Sequence, residues 1–262
     1  MNYTYHIADI ACVILAAGKG KRMNNPDVPK VMAEVAGKPL IGHVLSQVVP
    51  LNPKRIIVVV GHHKNIVIDY LDKEYPWVDT AEQTELLGTG HAVMQTEPFL
   101  DDFYGDVLII TGDTPLLRIE TLAQFIEEHQ RFRGFLSGSV LSATTDNPTG
   151  YGRIYRNSKG EFLKIIEEKD ADEEVKKITE VNTGIFIING ISLYSVLKEV
   201  ENSNAQGEYY LTDIVELFLR KGMNFNAVKA KNFDEFLGIN TVEQLAKAEE
   251  VYLSNQSIVA NK

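Results

Sequence analysis

Four short stretches of this chain are apolar at every position: Ala11 to Ala17, Ile56 to Val60, Val107 to Ile110 and Ile185 to Ile188. A strand with one face in water alternates, whereas a strand apolar throughout is covered on both faces. Between the runs, apolar residues recur at helical spacing. Leu40, Val44, Leu45 and Val48 do so after Pro39, and Leu122, Phe125 and Ile126 after Pro115. Such alternation predicts an α/β fold: three layers, Rossmann-like, around a mixed, mostly parallel sheet. In these sheets ligands bind beyond the carboxyl ends of the strands. The residues that follow each run are therefore the candidates for chemistry.

The first run ends in Gly18-Lys19-Gly20-Lys21-Arg22-Met23. A dinucleotide fingerprint would carry a third glycine where Met23 stands, and a Walker loop would follow Gly-Lys with Ser or Thr. Neither fits. What remains is a glycine turn, from Leu15, Ala16 and Ala17 into Gly18, that brings backbone N–H groups and cations to a polyphosphate. Arg22 offers a planar fork for phosphate oxygens, and Lys30, after Pro29, offers a point charge. The chain carries a net charge of -10, so a diffuse basic surface for nucleic acid is excluded. Lys19, Lys21, Arg22, Lys30 and Lys38 stand out against that background. The third run ends in Thr111-Gly112-Asp113. A carboxylate there suits Mg²⁺, which takes a few hard oxygens and keeps its waters; it equally suits the cap of the next helix. Phosphate cradle, basic clamp and carboxylate together point to nucleotidyl transfer.

Further along, Gly88 and Gly90 leave the backbone of the Leu87 to Ala92 turn accessible, Thr89 adds a hydroxyl, and Gln83 adds an amide able to match two groups of a uracil edge. Asp146 to Asp172 has the signature of a β-hairpin turning at Ser158-Lys159-Gly160, a substrate-covering insertion. Leu211, Ile214, Val215 and Phe218 mark a helical face, and a last helix starts near Thr241, whose spacing to Gln244 is that of a capping box. The polar stretch Asn255 to Lys262 is expected to fray. The organisation expected is a main domain over 1–240, with the hairpin at about 146–172 inside it, and a C-terminal helix and tail over 241–262. His62, His63 and His91 lack companion ligands and read as structural. The single cysteine, Cys12, lies in the first run and reads as a small buried hydrophobe. No apolar stretch approaches the ~18 residues of a bilayer span, and no leader pattern precedes Ile10, so a cytoplasmic, membrane-free protein is expected.

Taken together, Leu15-Ala16-Ala17-Gly18-Lys19-Gly20-Lys21-Arg22-Met23 and Pro29-Lys30 resemble the sugar-phosphate nucleotidyltransferases, which share the nucleotide-diphospho-sugar transferase fold. The resemblance covers roughly Val13 to Val251. Gln83-Thr84-Glu85, Leu87 to Ala92, Gly150-Tyr151-Gly152-Arg153-Ile154, Glu167 to Ala171, Val181 to Gly184 and Asn204 to Asp213 bring it closest to the N-acetylglucosamine-1-phosphate uridylyltransferase branch. The resemblance implies that UTP and a sugar 1-phosphate are the substrates and Mg²⁺ the cofactor. It implies that Gln83, Gly88 and Thr89 hold the uracil, that Asp113 and Asn240 hold the metal, and that Gly152, Glu167 and Asn182 bind the sugar, with Thr111, Glu208 and Tyr209 beside it. Thr111 stands where the family carries Tyr, which removes an aromatic wall. The alternatives are a glucose-1-phosphate or related uridylyltransferase, and a non-catalytic sugar-nucleotide-binding protein. Bifunctional relatives continue into hexapeptide repeats that trimerise and transfer acetyl groups. No such repeat occurs up to Lys262, so neither property is expected, and the oligomeric state stays open.

Overall fold

The computed structural model describes residues 9–19 and 27–260. β1 (Ile10–Leu15) is followed by a 3-10 turn at Lys30–Met32, a ribbon of β2 (Glu34–Val35) and β3 (Lys38–Pro39), and α1 (Leu40–Val48). β4 (Arg55–Val60), α2 (Lys64–Glu74), β5 (Asp79–Glu82), α3 (Thr89–Met94), α4 (Glu97–Leu100) and β6 (Asp106–Thr111) come next. Then follow α5 (Ile119–Arg131), β7 (Leu136–Thr144), β8 (Arg153–Arg156), β9 (Phe162–Ile166) and β10 (Glu180–Asn189). α6 (Gly190–Leu197), α7 (Ile214–Arg220), β11 (Asn224–Lys229) and α8 (Val242–Ala260) complete the described chain.

All four apolar runs are strands of one sheet, ordered β11-β7-β10-β6-β1-β4-β5, with the β8–β9 hairpin joined to it through β10. β1 pairs parallel with both β4 and β6, and β4 with β5. β10 alone on this path is reversed, antiparallel to β6 and to β7. It is reversed because the hairpin lies beyond the carboxyl edge, so the chain re-enters the sheet from that end. The chain winds from β1 out to β5 on one side and then returns to lay β6 on the other side of β1. That reversal of direction leaves a crevice between the carboxyl ends of β1 and β6.

β1 shows why its sequence is continuously apolar. Ile10, Cys12 and Ile14 pack with Val44, Leu45, Phe125 and Ile126 on one face. Ala11 and Val13 pack with Val93, Leu197, Ile214 and Phe218 on the other. Cys12 is fully buried, and burial pushes its thiol far above its ordinary range. The expected Thr241–Gln244 capping box is present: the Gln244 amide donates to Thr241 Oγ1 (3.2 Å), and the Thr241 amide donates to Gln244 Oε1 (3.1 Å). From there α8 lays Leu245, Ala248, Val251 and Tyr252 against Val35, Leu40, Leu116 and Ile239. The expectation of fraying from Asn255 is corrected, because the helix continues to Ala260. Residues 255–260 contain neither proline nor glycine to stop it. Among the described residues no helix is long and apolar enough to cross a membrane.

Candidate active site

The crevice between β1 and β6 opens into a cavity of ≈ 600 Å³. Leu15, Ala16, Ala17 and Gly18 line it from the end of β1, and Thr111 and Asp113 from the end of β6. Lys30, Gln83, Gly88, Thr89, Glu208 and Asn240 close it, so most of the residues singled out in the sequence face one space. Lys19 faces it too, as do Ala92 from the Leu87 to Ala92 turn and two apolar residues that nothing in the sequence marked, Val31 and Leu86. Arg22 lies outside the described residues.

At one end, Gln83 is buried at the end of β5. Its Nε2 donates to the Gly88 carbonyl (3.0 Å) and lies 3.1 Å from His91 Nδ1. The amide is therefore not free to match two groups of a base, as its sequence position suggested. Nε2 is engaged by the protein, and Oε1 is the atom left to accept from a ligand. His91 has the structural part expected of it. The loop carrying Gly88 is fixed by the chain around Tyr209: the Tyr209 amide donates to the Leu87 carbonyl (2.7 Å), the Gly90 amide to the Tyr209 carbonyl (2.8 Å), and the Leu211 amide to Thr89 Oγ1 (3.0 Å). Tyr209 thus braces the loop with its main chain, while its neighbour Glu208 lines the cavity. The Asn204 motif is built for this purpose, since Asn204 Oδ1 accepts the amides of Gln206 and Glu208 (3.2 Å each).

At the other end, the Lys30 ammonium is bonded to Asp113 Oδ2 and donates to Asn240 Oδ1 at 2.9 Å. The Ile239 amide donates to the Asp113 carbonyl at 3.0 Å, which stitches the two loops together. Asn240 is held by its own amide, which donates to Gln244 Oε1 (2.7 Å) at the start of α8. One carboxylate oxygen and one amide oxygen thus converge on a single cationic centre, and both are hard donors of the kind magnesium takes when phosphates and water complete its shell.

Gly152, Glu167 and Asn182 form a separate group beside the cavity. The Asn182 amide donates to the Gly152 carbonyl (2.8 Å), and a Cβ built on Gly152 would lie 3.4 Å from Glu167 Oε1. The pairing of β10 with β7 slips between Asn182 and Ile185, leaving a bulge at Thr183 and Gly184. Gly184 has φ +80°, and a Cβ there would stand 3.1 Å from Thr111 Cγ2, so the bulge connects this group to the cavity.

Acidic side chains crowd this region. Burial holds the half-buried Glu167 above the usual carboxylate range, against a hydrogen bond from Thr212 (2.9 Å) and with help from Asp170 and Glu208. Asp213 is pushed up to about 6 by burial, then by Glu167, Asp170 and Glu216, with Lys164 opposing. The folded chain keeps that proton at pH values where the unfolded chain, with an ordinary value of 3.8, has released it. Stability from this group is therefore lost as pH rises through about 6. Asp213→Asn is expected to melt above the parent at about pH 7.5, with the gap closing towards about pH 4. Melting curves across that range check it, and a gap independent of pH contradicts it.

Residues 11–253 match the family described as nucleotidyl transferase. Over 239 residues the chain is 44% identical to the bifunctional protein GlmU of Streptococcus gordonii and 43% identical to that of Streptococcus mutans. These alignments take in 91% of this chain and 51% of each relative, so it spans about half the length of the curated relatives it matches. Its fold is similar to UDP-glucose pyrophosphorylase complexed with UDP-glucose, with TM-score 0.74 and 18% identity over 94% of this chain and 99% of that one. The apo form of UDP-glucose pyrophosphorylase gives TM-score 0.75 and 18% identity over 95% and 99%. At these identities the likeness is one of fold. On the match over nearly its whole length, and on the identity it shares with those relatives, this chain belongs to the nucleotidyl transferase family.

Proposed function

We propose that the chain is a uridylyltransferase that joins UTP to N-acetylglucosamine 1-phosphate, giving UDP-N-acetylglucosamine and pyrophosphate. The observation that carries this reading is the convergence of Lys30, Asp113 and Asn240 in the same cavity as the Gln83–Gly88–Thr89 loop. A phosphate-neutralising end thereby faces a base-sized polar end across one space.

Gln83 Oε1 accepts the N3–H of uracil, and the backbone turn after β1 takes the phosphates. The Lys30 ammonium neutralises the α-phosphate side, and Arg22 the departing pyrophosphate. Asp113 and Asn240 would hold magnesium, which when bound would supply charge neutralisation to the phosphate oxygens. An oxygen of the sugar phosphate attacks the α-phosphorus in line; the new P–O bond forms as the bond to the β-phosphate oxygen breaks, and pyrophosphate leaves with the electron pair. The protein contributes no nucleophile, only position and charge. Gly152, Glu167 and Asn182 place the sugar, and the Asn204 to Asp213 motif supports reading it as N-acetylglucosamine.

A panel assay tests it: purified protein, Mg²⁺ and UTP with N-acetylglucosamine 1-phosphate, glucose 1-phosphate or no sugar, following pyrophosphate. The N-acetylated sugar is expected to give the highest kcat/KM. A preference for glucose 1-phosphate moves the assignment to that substrate, and UDP-sugar binding without pyrophosphate exchange makes the chain a sensor.

A further inference from the structure

Two residues of the sequence motifs have no part in the chemistry above: Arg153, beside Gly152, and Glu168, beside Glu167. Arg153 is 1% exposed, an arginine as buried as the core phenylalanines. Its Nη2 stands 2.6 Å from Glu168 Oε2 as an ion pair, its Nη1 donates to the Tyr151 carbonyl, and among the described residues neither its Nε nor Glu168 Oε2 has a hydrogen-bond partner. A charge taken that far from water is costly unless its geometry serves something, and an orphaned N–H adds to the cost.

The pair lies where three segments meet. Arg153 pairs with Ile166 across the hairpin and with Val181 of β10. The Tyr151 ring meets the Phe233 ring edge-on at 5.2 Å, and its hydroxyl sits against the Gly238 backbone, two residues before Asn240. On the Glu168 side, the Asp170 amide donates to the Glu167 carbonyl (3.0 Å), and Asp170 Oδ1 accepts the Ala205 amide (2.9 Å) of the loop that carries Glu208. We propose that Arg153 is a positioning residue: through Glu168 and Tyr151 it fixes the sugar-binding segments Gly152 and Glu167 against the loop that presents Asn240. The sugar side and the cation side of the cavity are thereby held in one frame. This inference rests on the uridylyltransferase reading for its catalytic consequence, but not for its structural one.

Arg153→Met removes both contacts at similar bulk, Glu168→Gln removes only the charge of the partner, and Arg153→Lys restores a cation. Hydrogen exchange is expected to quicken in 148–153, 167–178 and 236–240 of Arg153→Met and to stay unchanged in 83–90. In turnover, KM for the sugar 1-phosphate is expected to rise about tenfold or more with KM for UTP within about threefold, and Arg153→Lys to recover part of the loss. If Arg153→Met does not fold, Glu168→Gln is read by the same measurements, with a smaller rise expected. Exchange that quickens evenly along the chain, or not at all, overturns the inference, and so does an equal change in both KM values. Should the parent form no pyrophosphate with any sugar phosphate, the uridylyltransferase reading falls, and the exchange pattern alone decides whether Arg153 holds the frame.

Discussion

Asp113→Asn is expected to slow pyrophosphate formation by ~10²–10³, the usual cost of removing one pre-organised charge from such a site. The substitution keeps the shape of the side chain, and the Asp113 main chain that binds the Ile239 amide is untouched. What disappears is the only anion that the Lys30 ammonium contacts among the described residues. The ammonium, and the divalent metal proposed for the site, would then face two neutral oxygens. Steady-state kinetics with titrated magnesium, beside a melting curve, separate this from damage to the fold. Turnover within about threefold of the parent would remove Asp113 from the mechanism.

Gly88→Ala is the second large effect, and it acts at the opposite end of the cavity. Gly88 has φ 110° and ψ 174°, a region essentially reserved for glycine, where another residue costs ~1–3 kcal/mol. A Cβ there would also lie 2.6 Å from the Tyr209 carbonyl oxygen. That oxygen cannot retreat, because it accepts the Gly90 amide at 2.8 Å while the Tyr209 amide is bonded to Leu87. The loop must move instead, and it takes with it the carbonyl that orients the Gln83 amide. KM for UTP is expected to rise by about 10- to 100-fold, as a loss of ~1.4–2.7 kcal/mol implies, with KM for the sugar phosphate much less affected. Calorimetric titration with UTP gives an independent reading, and unchanged affinity would refute the placement of the base.

Much of the frame was legible because the central strands are covered on both faces. β1, β4 and β6 announce themselves as unbroken apolar runs, and the residues just beyond β1 and β6 are those that line the cavity. The hairpin was legible from its turn, where Asn157 Oδ1 accepts the amides of Lys159 and Glu161. β7 was not. It reads Leu-Ser-Gly-Ser-Val-Leu-Ser-Ala-Thr, and its fully buried Ser139 and Ser142 are satisfied by His129 Nδ1 (2.9 Å) and Glu180 Oε1 (2.7 Å), partners no local pattern reveals. In the site, the residue types pointed to the chemistry but the pairings stayed hidden. Lys30 and Asn240 are separated by 210 positions, and only the closed fold shows them sharing one contact. Gln83 was readable as a base-binding amide, but which of its atoms is spoken for depends on His91, a side chain that its position marked as structural.

The slip in β10 has a consequence for how this architecture tolerates change. From Asn182 to Ile185 the strand advances three residues while its neighbour advances one, Ser142 to Leu141, so the excess is two. An even surplus leaves the inward and outward parity of the strand alike above and below the interruption. Excising Thr183 and Gly184 together would let the ladder close with its packed side still packed, whereas excising either alone would turn one half of the strand inside out. The bulge beside Gly152, Glu167 and Asn182 is in this sense an even-numbered insertion that the alternation of the sheet accommodates.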